Sequence, residues 1–284
     1  MPELPEIVCR AREMNETLPG RITRGIEVLQ PKCLNVPAAA FDRGLRGATV
    51  IEVTNRGKWL FVETSNGHLL LNLGMGGEIL LVPSGKLPDK WRIRFDLDRR
   101  QSLAVNFWWF GYAHYVPPRK LADHAMSAAL GPNALDLSLT AFRELVRGRR
   151  GAVKSFLLNQ SNLAGIGNAY IHDILFRAGL HPLEPVARLS PEAVRRLYSA
   201  MTKELKRSIA KGGAFYEVDL HGRPGGFTAA DLLVGYREGK PCPKCGTPVV
   251  KLKTGATASF LCPRCQPPPK PSLSGNAAAR VGGP

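Results

Sequence analysis

Two Cys-x-x-Cys knuckles, Cys242-Pro-Lys-Cys245 and Cys262-Pro-Arg-Cys265, constrain this chain more than any other feature. Sixteen residues separate them, enough for a β-hairpin turning near Gly255. Four thiolates at that spacing close a tetrahedral zinc site and leave no position open for catalysis. A redox pair is the competing reading, but redox Cys-x-x-Cys motifs come singly. One structural Zn2+ is therefore expected on Cys242, Cys245, Cys262 and Cys265, while Cys9 and Cys33 read as buried or idle thiols. The N-terminus lacks the pattern of a secretory signal. The longest apolar stretch, 69–82, is broken by Asn72 and Glu78 and is too short for a bilayer. The expectation is a cytoplasmic protein with no membrane partner.

Charge narrows the partner. The 284 residues carry 39 Lys+Arg against 23 Asp+Glu, a net charge of +16. Residues 1–140 hold 17 basic and 14 acidic side chains, and residues 141–284 hold 22 and 9. A basic surface kept for solubility would be spread evenly. An excess gathered in one half points to a polyanion, nucleic acid above all, whose phosphates reward Lys and Arg through counterion release.

The hydrophobic pattern divides the chain into parts. Ile7, Ala11, Met14 and Leu18 recur at helical spacing, with Arg10, Arg12, Glu13 and Glu16 on the other face, and Pro19-Gly20 ends the helix. From Arg21 to Val116 short β-rich runs follow, among them 48–54, 59–63, 68–72, 78–82 and 91–96, with turn clusters such as Ser65-Asn66-Gly67 between them. Helical patterns return at 140–146, 151–159, 168–178 and 191–210, the last opened by Ser190-Pro191-Glu192. The predicted fold class is α+β multidomain: an N-terminal helix plus antiparallel β-sandwich over 1–116, a linker at 117–131, a helical domain over 132–240 and a zinc finger over 241–266. A Pro-, Ser-, Gly- and Ala-rich tail over 267–284 reads as disordered.

Two further motifs are ambiguous alone. Gly165-Ile-Gly167-Asn168 at a helix start can present backbone N–H groups to a phosphate, but short glycine turns also join packed helices. Pro2 becomes a terminal secondary amine once Met1 is removed, and such an amine can form an iminium with an aldehyde-level carbon. Glu3 and Glu6 beside it are able to move protons, although carboxylates at a helix start commonly serve its dipole.

In one fixed order the chain carries Pro2-Glu-Leu-Pro-Glu6, Arg56-Gly-Lys58-Trp-Leu, Leu73-Gly-Met75-Gly-Gly, Leu130-Gly-Pro, Gly165-Ile-Gly-Asn-Ala-Tyr170 and the four-cysteine module. That series resembles the formamidopyrimidine-DNA glycosylase and endonuclease VIII family of base-excision repair enzymes, nearest to the formamidopyrimidine branch, over residues 2–266. The resemblance implies a helix-two-turn-helix domain at 132–240. It implies a glycosylase and abasic-site lyase that excises oxidised or damaged bases from double-stranded DNA, acting as a monomer at the bacterial nucleoid. It assigns Pro2 as nucleophile, Glu3 as the acid/base for sugar opening, Glu6 as a carboxylate shaping the site and Lys58 as a proton donor near the lesion. Met75 and Phe110 become inserting side chains for an everted nucleotide. Asn168, Lys154 and Arg150 become phosphate contacts, and Arg92 stands for a histidine that holds phosphate. Trp108 replaces the family arginine that pairs with the orphaned base, and Thr257 replaces a hairpin arginine that helps the second elimination. Phe215 and Tyr216 stand in the 214–227 loop where small or hydroxyl residues are usual. These departures leave room for a relative that binds damaged, abasic or bent DNA with weak or no excision. A ribosomal or transcriptional zinc-ribbon protein would explain the charge and cysteines but not Pro2-Glu-Leu-Pro-Glu6.

Overall fold

The computed structural model describes residues 1–108, 110–255 and 257–270. Trp109 and the tail beyond residue 270 lie outside the described residues. Helix α1 (Leu4–Thr17) starts with a capping box in which Glu3 and Glu6 exchange backbone contacts, and Pro5 fits its first turn. Its apolar side chains Ile7, Ala11, Met14 and Leu18 are buried as the periodicity predicts. Arg10 is buried too, paired with Glu13 at 2.5 Å, rather than lying on an open polar face.

Two antiparallel four-stranded sheets follow. One orders β1 (Thr23–Val28), β6 (Ile93–Leu97), β7 (Gln101–Asn106) and β5 (Glu78–Pro83); the other orders β2 (Val50–Arg56), β3 (Trp59–Thr64), β4 (Gly67–Asn72) and β8 (Tyr112–Val116). Alternate residues such as Val53, Leu60, Val62, Leu69 and Leu71 meet Ile79, Leu81, Phe95 and Leu103 in one core. The sequence pattern missed α2 (Ala38–Leu45), which interrupts the β-rich stretch. It is eight residues long and has no side-chain N-cap, so its local signal is weak. Burial of Phe41 and Leu45 stabilises it, and Gly44 lets it approach the Tyr115 ring, where any Cβ would collide.

The helical part comprises α3 (Ala125–Ala128), α4 (Leu139–Val146), α5 (Val153–Leu158), α6 (Ile171–Ala178) and α7 (Pro191–Ala210) around a second core. α7 has the limits its Ser190 cap and Pro191 predict. α6 begins at Ile171 rather than at Asn168, and the backbone N–H groups of Gly167 and Ala169 in the turn before it donate to Glu3. Leu4 belongs to this second core while Ile7 belongs to the first, so α1 joins the two. β9 (Val250–Thr254) and β10 (Thr257–Leu261) form the hairpin between the cysteine knuckles. Among the described residues, no helix is long and apolar enough to cross a membrane.

Candidate active site

The N-terminus of α1 enters a cleft of about 1020 Å³ between the sheets and the helices. Its walls include Met1, Glu3, Lys58, Met75, Phe110 and Asn168, joined by Phe215, Tyr216, Tyr236 and Thr257. Sequence positions 3, 58, 75, 110 and 168 thus share one space. Pro2 is buried directly behind Met1.

Glu3 is fixed by backbone donors. The Gly167 N–H donates to its Oε2 at 2.7 Å, and the Ala169 N–H donates to Oε1 at 2.9 Å. The glycine-rich turn therefore cradles a carboxylate of this chain. The Leu4 N–H donates to Gly165 O at 3.0 Å and locks the same junction. Glu6 lies deeper: Oε2 accepts from the Glu3 N–H at 2.8 Å, and Oε1 accepts from the Ala214 N–H at 3.0 Å and from the Tyr170 hydroxyl. Burial raises its carboxyl pKa, against the lowering effect of the Tyr170 hydrogen bond. Tyr170 belongs to the glycine-rich turn, and nothing in its spacing discloses that its hydroxyl meets Glu6 and, at 2.6 Å, Ser208. Lys58 sits half-buried with Nζ 3.9 Å from the Met1 sulfur.

Met75 and Phe110 line the cleft at 48% and 70% exposure, and Trp108, 61% exposed, lies outside the lining; no core claims any of the three. The Trp108 N–H donates to Met75 O at 3.0 Å, tying the two loops together. Phe110 takes φ +57°, a left-handed backbone that non-glycine residues rarely adopt and that functional loops retain. Asn168 donates from Nδ2 to the Tyr236 hydroxyl at 3.4 Å. Arg92 and Arg150 are exposed but stand outside the cleft lining.

Lys154 requires a correction. It is not a surface cation free to grip a DNA backbone but is 2% exposed. Its ammonium donates to Thr257 Oγ1 at 3.0 Å, Ala258 O at 2.7 Å and Thr254 Oγ1 at 3.2 Å, and burial lowers its pKa to about 8. The side chain ties α5 to the cysteine hairpin. The sequence offered only a lysine in a basic stretch, and its direction depends on a hairpin a hundred residues away.

The sulfurs of Cys242, Cys245, Cys262 and Cys265 all lie within 4.8 Å of one another, and three of the Sγ–Sγ separations are 3.4 to 3.9 Å. Tetrahedral Zn–S bonds of about 2.3 Å put sulfurs about 3.8 Å apart, so the cluster fits one structural zinc.

Residues 1–107 match the formamidopyrimidine-DNA glycosylase N-terminal domain, 129–218 the H2TH domain of the same enzymes, and 239–268 the zinc finger found in FPG and IleRS. The formamidopyrimidine-DNA glycosylase of Magnetococcus marinus is 33% identical over 274 residues, covering 94% of this chain and 99% of that one. That of Symbiobacterium thermophilum is 32% identical over 288 residues, covering 99% and 94%. The chain belongs to the formamidopyrimidine-DNA glycosylase family. Lactococcus lactis Fpg (MutM) bound to DNA containing N7-benzyl-Fapy-dG matches the fold with a TM-score of 0.86 at 25% identity, over 94% of this chain and 100% of that one. The same protein bound to abasic-site DNA matches at 0.86 and 24% identity, over the same shares of the two chains. Within this formamidopyrimidine-DNA glycosylase scaffold, Trp108 offers one N–H donor where a forked guanidinium was expected. Thr257 spends its hydroxyl on Lys154.

Proposed function

We infer that this chain is a DNA base-excision repair glycosylase with abasic-site lyase activity, acting on oxidised or otherwise damaged bases in duplex DNA. The observation that carries the reading is the meeting, in one cleft, of the N-terminus, Glu3 and Lys58 with the exposed apolar side chains Met75 and Phe110. Loss of Met1 vacates the space against Lys58 and leaves the Pro2 secondary amine at the cleft floor. That amine attacks C1′ of an everted nucleotide and displaces the damaged base; the resulting iminium supports elimination of the neighbouring phosphate. Glu3, oriented by two backbone donors, serves ring opening, and Lys58 serves proton transfer beside the sugar. Met75 and Phe110 fill the hole the nucleotide leaves, Trp108 faces the opposite strand without a guanidinium, and Asn168, Arg92 and Arg150 contact phosphates. Residues 1–116 then carry the chemistry, while 132–240 and 241–266 hold the bent duplex. One copy of the chain supplies every group named, so a monomer working at the chromosome suffices.

Borohydride trapping on a duplex with a single abasic site tests this. Wild type, with Met1 removal confirmed by intact mass, is expected to give a covalent adduct that Pro2→Gly abolishes. An adduct of equal yield in the variant would exclude Pro2 as the nucleophile.

A further inference from the structure

Glu217 is a half-buried carboxylate that the chemistry above does not use. It stands in the loop after α7, its side chain 12% exposed, with Oε1 3.6 Å from the terminal ammonium of Met1. The loop holds it from both sides: its N–H donates to Ala214 O, and the Gly225 N–H donates to its carbonyl, each at 3.0 Å. α1 turns Glu6 and Arg10 toward it, and Tyr216 and Asp219 flank it in its own loop. Burial pushes its carboxyl up to about 7; Glu6 adds to that, while the terminal ammonium and Arg10 oppose it. Arg10 is already matched by Glu13 at 2.5 Å.

The other two carboxylates near the amine have both oxygens occupied. Glu3 accepts from Gly167 and Ala169, and Glu6 from Glu3, Tyr170 and Ala214. Glu217 is the carboxylate, among the described residues, whose oxygen faces the terminal nitrogen.

We propose that Glu217 is the proton acceptor for the N-terminal amine, a role that rests on the reading of Pro2 as nucleophile. Removal of Met1 moves the terminal nitrogen inward by one residue, about 3.8 Å, a distance a glutamate follows by changing rotamer. Attack by the neutral amine forms the N–C1′ bond as the glycosidic bond breaks, and the departing base takes a proton from water. The nitrogen then carries a positive charge and one N–H. That proton passes to Glu217. The freed electron pair expels O4′ and forms the C=N iminium, while O4′ takes a proton from water held beside Glu3. Without an acceptor the adduct stalls before ring opening.

The full-length zinc-loaded protein with Glu217→Gln and Glu217→Asp tests this in two ways. The first is the pH midpoint of the terminal amine, read by reductive methylation and mass of the N-terminal peptide. A negative neighbour stabilises the ammonium, so Glu217→Gln lowers the midpoint and Glu217→Asp restores it; an unmoved midpoint overturns the proposal. The second is the rate of borohydride-trapped adduct on saturating abasic duplex. It is expected to fall about 100-fold in Glu217→Gln, although more amine is neutral, and to recover in part in Glu217→Asp. A rate equal to or above wild type overturns the acceptor role alone. Absence of any adduct in wild type instead overturns the reading of Pro2, and this proposal with it.

Discussion

Gly167 is a backbone position at which two side chains of the cleft converge. A methyl group there would run into the Glu3 carboxylate and the Lys58 ammonium. Gly167→Ala must therefore displace Glu3 from the Gly167 N–H, and a misplacement of this size costs reactivity more than affinity. The adduct-forming rate is expected to fall at least tenfold, with binding to an uncleavable abasic analogue kept within a few-fold. A wild-type rate would show that Glu3 needs no such cradle. At this scale the sequence was informative about identity and silent about direction. Glu3, Lys58 and Met75 stood out because they recur in a known order, and they line one cleft. Glu217 and the inward turn of Lys154 did not, since their partners come from segments distant in the chain.

β8 and α3 are joined by a buried pair of histidines. His114 Nδ1 lies 2.7 Å from His124 Nε2, and His124 Nδ1 lies 2.8 Å from Ser127 Oγ, with the Trp59 ring against both imidazoles. One hydrogen serves the contact between the rings; a second proton has no acceptor there. Burial, reinforced by His124, pushes His114 down to about 4, and burial lowers His124 as well. The unfolded histidine titrates near 6.5, so between those values the unfolded state binds more protons. Stability is present in full above about 6.5 and is lost as pH falls towards 4, by an amount on the order of 2 kcal/mol. Denaturant midpoints at pH 7.5 and pH 5 should differ in wild type and differ less in His114→Phe. His172, pushed down to about 3 by burial and then by Lys154, keeps part of the slope in the variant. Equal slopes in the two proteins would remove the pair from this account. The same element boundaries show what periodicity can and cannot reach: α7 was legible from its cap and stripe, whereas α2 exists because Phe41 and Leu45 find a sheet to cover.

Across the whole molecule the zinc module and the helical domain act as one wall of the cleft. Lys154 bonds to three residues of the hairpin, Thr254, Thr257 and Ala258, and Thr257 itself lines the cleft. Stripping the metal with a strong thiol-competing chelator is expected to release the hairpin and weaken abasic-duplex binding at least tenfold, while the sheets keep their circular dichroism. Unaltered binding after confirmed zinc loss would mean that the wall stands without it. The sequence by itself determined the zinc module, the sheet-then-helix order and the excess of positive charge, because spacing, periodicity and charge are local properties of the chain. Only the tertiary structure decided which of those groups touch. It turned a phosphate-like glycine cradle toward Glu3, buried Lys154 against Thr257 and brought Glu217 to the N-terminus. The direction of a side chain is set by the packing of remote segments, and that packing is fixed only when α1 closes both cores together.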